Sequence, residues 1–136
     1  MKKFLAAATI VATLSGCTSL THIEQRELQV LKGQGVTVDR PVGSWEKPAN
    51  AGGAALLNLL PGFGNFYLAM GNAGDGDHYL YGAVNLLLWP LSIAWGVPEA
   101  AVDAETINER DMLYYYKFDP MGKKEVKKAG ISLSVD

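Results

Sequence analysis

Tyr79-Leu80-Tyr81-Gly82-Ala83-Val84-Asn85-Leu86-Leu87-Leu88-Trp89-Pro90-Leu91-Ser92-Ile93-Ala94-Trp95-Gly96-Val97 is a run of nineteen residues without one charged side chain. That length is close to what a helix needs to cross a bilayer core. Pro90 interrupts it, and a transmembrane helix tolerates such a proline better than a soluble one when neighbours satisfy the freed carbonyl. Upstream, Ala51-Gly52-Gly53-Ala54-Ala55-Leu56-Leu57-Asn58-Leu59-Leu60 is apolar and rich in small residues. Pro61-Gly62-Phe63-Gly64-Asn65 breaks it, and Phe66 to Met70 resumes it. Pro61 forces a break or kink there, because it lacks a donor and clashes with the preceding turn. Gly71 to Asp77 is a turn by composition. Residues 51–98 are therefore expected to form an apolar helical hairpin, with Gly52, Gly53, Gly82 and Ala83 permitting close helix approach. Leu56, Leu57, Leu86, Leu87 and Leu88 fit either membrane contact or an ordinary hydrophobic core. Three placements follow: the hairpin spans a membrane, lies shallowly in one leaflet, or is the core of a small helical domain or assembly.

At the other end, Lys2 and Lys3 precede an apolar stretch from Phe4 to Leu14, and Leu14-Ser15-Gly16-Cys17 follows. A basic start, a short apolar run and small residues before a cut are the anatomy of a secretory signal peptide. The pattern resembles the lipobox of bacterial lipoproteins. The resemblance implies cleavage between Gly16 and Cys17, acylation of the Cys17 thiol, removal of residues 1–16, and membrane lipid as a partner through the acylated cysteine. Cys17 is the only cysteine, so no disulfide framework remains to hold the fold. Without Lys2 and Lys3, ten basic side chains face fourteen acidic ones, which speaks against nucleic acid as a partner. Thr18 and Ser19 stand where lipoproteins held in the inner membrane tend to carry aspartate. That sorting analogy implies a periplasm-facing protein of the outer membrane rather than the inner one.

The hairpin itself resembles the TM2 family. Gly62-Phe63-Gly64-Asn65-Phe66-Tyr67-Leu68-Ala69, a polar loop, a second apolar segment and Trp95 ahead of Ala101-Val102-Asp103 carry the resemblance over about Ala54 to Ala104. It implies two membrane helices joined around a Gly- and aromatic-rich signature, with Pro61, Gly62, Gly64, Phe66 and Tyr67 as its residues. The chain departs from it at Ala69, where the family prefers glycine, and at the extra prolines Pro61 and Pro90. Outer-membrane proteins cross as closed barrels, so an outer-membrane address and a crossing hairpin conflict.

Residues 17–50 are polar and mixed, and are expected to be a lipidated tether and spacer. Within them Ile23, Leu28 and Leu31 stripe a short helix over Thr21–Lys32, stopped by Gly33 and Gly35. Val36–Asp39 alternates as a short strand would. Trp45 suits either a headgroup anchor or a packed position. In residues 99–136, Pro98 is expected at the first position of an amphipathic helix over Glu99–Tyr116. Tyr114, Tyr115 and Tyr116 end it, Phe118–Gly122 forms a turn, and Ile131–Val135 is a last short strand. Lys123, Lys124, Lys127 and Lys128 suit anionic headgroups or a plain solvated face, and with Trp89 and Trp95 they are the expected lipid or partner contacts. The fold class is mainly α: a small helical hairpin domain with an apolar, membrane-associated core behind a polar spacer.

Catalysis is not expected. His22 and His78 lack metal-ligand spacing, Asp75-Gly76-Asp77-His78 lacks the distal glutamate of a calcium loop, and no serine sits in a nucleophile elbow. No metal and no cofactor are expected. The sequence points to a lipid-anchored envelope protein with a structural or interaction role, as a homo-oligomer or within an envelope complex. The alternative is a lipid-tethered binding module whose hairpin folds inward as a core around a partner or hydrophobic ligand.

Overall fold

Thr21 opens the first helix by satisfying one of its orphan amides. Its hydroxyl accepts the Glu24 amide while the Glu24 carboxylate accepts the Thr21 amide at 2.7 Å, a reciprocal cap contributing about 1 kcal/mol. The computed structural model describes residues 18–71 and 76–133, and among them six helices and no strand. They are α1 His22–Gly33, α2 Ala51–Leu57, α3 Phe63–Met70, α4 Asp77–Leu87, α5 Ile93–Phe118 and α6 Pro120–Lys128.

The 26-residue α5 is the spine, about 39 Å long at 1.5 Å per residue. It contacts α1, α2, α3 and α6, while α3 packs on both α2 and α4. Two clusters form along it. Around its C-terminal half Leu28, Leu31, Val36, Trp45, Met112, Leu113, Tyr116 and Val126 make an ordinary apolar core. Nearer its middle Ala49, Ala54, Leu68, Ala100, Ala104 and Ile107 make a second one of mostly small residues.

Residues 18–50 do more than space. They supply α1, Val36 and Trp45 to the first cluster, and the Trp45 indole donates to Asp111 at 2.8 Å, so this ring is packed on the body. Tyr116 reaches back to Val42, accepting from its amide at 2.8 Å and donating to its carbonyl at 2.9 Å.

Several expectations are corrected. Val36–Asp39 is no strand: Thr37 and Arg40 make one isolated bridge around a tight turn. Residues 131–133 are irregular, and the rest of that expected strand lies outside the described residues. Phe118–Gly122 is a helix junction, because Asp119 accepts the Met121 and Gly122 amides and Pro120 stands at the first position of α6, where its missing donor costs nothing. Pro98 does not open α5 but sits inside it. The uncharged run from Tyr79 to Val97 is divided into α4, a turn at Leu88–Ser92 containing a cis Trp89–Pro90 bond, and the start of α5. None of the described helices is long and apolar enough to cross a membrane. The two-crossing hairpin implied by the TM2 resemblance is thereby replaced by short helices joined through turns.

The glycines of that signature have a packing role instead. Gly62 has φ +84° and its α-carbon faces the Gly82 backbone so closely that a Cβ would overlap the Gly82 carbonyl. Gly62→Ala is expected to cost about 3 kcal/mol from left-handed strain plus overlap, whereas Gly33→Ala, which meets open space, should not destabilise. Urea denaturation of the two variants checks the contrast.

Candidate functional site

The apolar half of the molecule is built inside out. On α4 the buried residues are His78, Gly82 and Asn85, while Leu80 and Leu87 are 67% and 83% exposed. On α3 the interior takes Gly64, Asn65 and Leu68 while Phe63 and Met70 face outward. On α2 and the turn after it, Ala54 and Asn58 are buried and Leu56, Leu57, Leu59 and Leu60 are exposed. The next turn adds Leu88, Trp89 and Leu91, again exposed. A water-soluble helix places its apolar stripe inward, and α1 and the C-terminal half of α5 do that. Residues 51–97 do the reverse.

The interior of this half is held by amides. Asn58 donates to the Gly96 carbonyl and accepts the Gly64 amide at 3.1 Å. Asn85 donates to Asn65 at 3.0 Å and accepts the Trp95 indole at 3.0 Å. The Ser92 hydroxyl donates to the Asn85 carbonyl at 2.6 Å. Gly96 lies against Asn58 and Asn85, so the end of α2, the end of α4 and the start of α5 meet at one level. The α2–α3 turn and the α4–α5 turn therefore emerge at the same end of the molecule.

At the other end of α4 a second polar group closes the bundle. The Thr18 hydroxyl donates to Asp103 at 2.7 Å and lies 3.5 Å from His78 Nε2, and His78 Nδ1 is 3.8 Å from Asp103. Thr18, His78 and Asp103 are all buried. Burial pushes the Asp103 carboxyl above its usual value, against the opposing pull of Thr18 and His78. One turn earlier on α5, burial followed by repulsion from Asp103 pushes Glu99 up to about 7, with Asn85 partly offsetting.

The expected site residues separate in space. Pro61, Gly62 and Gly64 are buried at the α2–α3 junction, Phe66 packs on Gly82, and the Tyr67 hydroxyl accepts the Asn50 amide at 3.2 Å. Trp89 is 63% exposed at the apolar end, whereas Trp95 is half-buried and tied to Asn85. Lys123, Lys124, Lys127 and Lys128 are exposed on α6, which packs on the C-terminal half of α5, and do not join the tryptophans in one surface. Asn58, Asn65 and Asn85 were missed in the sequence, although three asparagines in an otherwise apolar stretch are the signal that would have found them. Among the described residues no group of three or more His, Cys, Asp or Glu side chains could hold a metal ion. Gly16 and Cys17 lie outside the described residues, as do Asn72 to Asp75.

A family model for the prokaryotic membrane lipoprotein lipid attachment site matches residues 1–18. The chain carries the signal and attachment site of a lipid-anchored bacterial lipoprotein. No curated protein and no solved structure gives a match. The matched segment ends at Thr18, the residue bonded to Asp103, so a lipid on Cys17 is attached one residue before the folded bundle.

Glu99 makes stability depend on pH. Its folded value near 7 exceeds its ordinary 4.5, so below the lower value both states hold the proton and folding is not penalised. Between the two only the folded state holds it, stability falls as pH rises, and the full cost is present above the higher value. Glu99→Gln is expected to raise the melting temperature at about pH 8 and leave it nearly unchanged at about pH 4; thermal melts across that range check it.

Proposed function

We propose that this protein is a non-catalytic structural or interaction component of the bacterial cell envelope, whose lipid anchor holds a helical body flush against a bilayer. The observation that carries the reading is the Thr18–Asp103 bond. A residue of extended chain reaches at most about 3.6 Å, so an acylated Cys17 leaves no slack between the lipid and the bundle. A catalytic centre would need a polar cleft with poised groups. Most of the buried polar side chains here, Asn58, Asn85, Ser92 and Thr18 among them, instead bond one helix or turn to another. The reading includes a periplasm-facing body and, from Thr18 and Ser19 after the cysteine, the outer membrane over the inner. The inward-folded alternative, with the hairpin as a core around a ligand, is disfavoured because the leucines of that segment point outward.

Cells given radiolabelled palmitate should incorporate it into the wild-type chain and not into Cys17→Ser, and globomycin should leave a larger precursor. An unlabelled wild-type product of unchanged mobility would contradict the proposal.

A further inference from the structure

We infer that the apolar end of the molecule, formed by the α2–α3 and α4–α5 turns and the outer face of α4, inserts into the acyl-chain region of the same leaflet that carries the lipid on Cys17. The occupant of this face is lipid. This rests on the lipid-anchored reading above and adds a second attachment that does not use the cysteine.

Three observations select lipid rather than another protein surface. The first is the inverted burial: Leu60, Leu80, Leu87, Trp89 and Leu91 are each at least 60% exposed, while the residues turned inward are mostly glycine, alanine and asparagine, with Leu68 the one buried leucine of the segment. An apolar solvent outside removes the reason to bury leucine and leaves backbone polar groups as what must be satisfied internally. The second is charge. Between Lys47 and Glu99 the only Asp, Glu, Lys or Arg residues are Asp75 and Asp77; Asp77 begins α4, at the end where Thr18 meets His78, and Asp75 lies outside the described residues. The apolar end carries none. The third is where the chain outside the described residues stops. After cleavage only Cys17 precedes Thr18, so its acyl chains enter the bilayer beside the first turn of α4. From there α4 extends for eleven residues, about 16 Å, to the leucines and Trp89 that follow it. One leaflet of hydrocarbon is about 15 Å deep. Depth and helix length agree with insertion to the middle of the bilayer and no further, and the exposed Tyr79 ring falls at the level suited to an amphipathic aromatic side chain.

The test uses the mature chain carrying Cys17→Ser, which has no acyl group, mixed with vesicles of phosphatidylethanolamine and phosphatidylglycerol. It should sediment with the vesicles, and bromine placed on the acyl chains should quench the part of the tryptophan emission that disappears in Trp89→Phe. Leu87→Glu should weaken partitioning at least about ten-fold with an unchanged circular dichroism spectrum, since that side chain is 83% exposed. Retention in the supernatant as a folded monomer would overturn the inference. So would a dimer formed without vesicles and abolished by Leu87→Glu, which would assign the face to a second copy. Because this variant bears no lipid, either failure is separate from failure of palmitate labelling.

Discussion

Asn58 stands where α2 ends, α3 begins and α5 starts, with its amide on the Gly96 carbonyl and its carbonyl on the Gly64 amide. Everything in the apolar half depends on polar side chains of this kind being inside. Asn58 and Asn85 tie helix ends that are too short to hold together by their own backbone bonds. Glycines at 62, 64, 82 and 96 let the backbones come close enough for those amides to reach. The leucines that would occupy the interior of a soluble bundle are displaced outward as a consequence. An amide that loses its partner in such a site costs about 1–3 kcal/mol, which makes the network cooperative and specific in register.

The other half follows soluble rules, and α5 joins the two. Toward Phe118 it buries Met112, Leu113 and Tyr116. Toward Ile93 it buries Gly96 and Ala100. One helix thus changes environment along its length, and Glu99 and Asp103, with raised carboxyl values from desolvation, sit at the change. Thr18 closes the bundle at that level, which sets the height at which a lipid on the preceding residue meets the body.

Much of the soluble half was legible in the sequence. The stripe expected of Ile23, Leu28 and Leu31, with its glycine stop, gives α1 because amphipathic period and terminator agree, although Ile23 in the first turn is exposed and only Leu28 and Leu31 are buried. Tyr114, Tyr115 and Tyr116 end α5 as expected, within two residues. Less legible was α6, since Asp119-Pro120 reads equally as a turn or as a cap followed by a first helical residue, and only packing of Gly122 on Tyr115 decides it. In residues 79–97 no charged side chain marks a boundary; the break falls at Leu88–Ser92, around Pro90, with the Ser92 hydroxyl bonded to the Asn85 carbonyl. The inversion was least accessible of all. Hydropathy records that leucines are present and not which way they face, and the three asparagines that mark the interior are spread across three helix ends.

The central claim is that residues 51–97 face hydrocarbon with their leucines and one another with their amides. A nitroxide attached at Leu87→Cys in membranes, compared with one at Glu105→Cys, reads this through collisions with oxygen, which concentrates in lipid, and with a nickel chelate, which stays in water. The account predicts oxygen dominance at 87 and nickel dominance at 105; nickel dominance at both positions would contradict it.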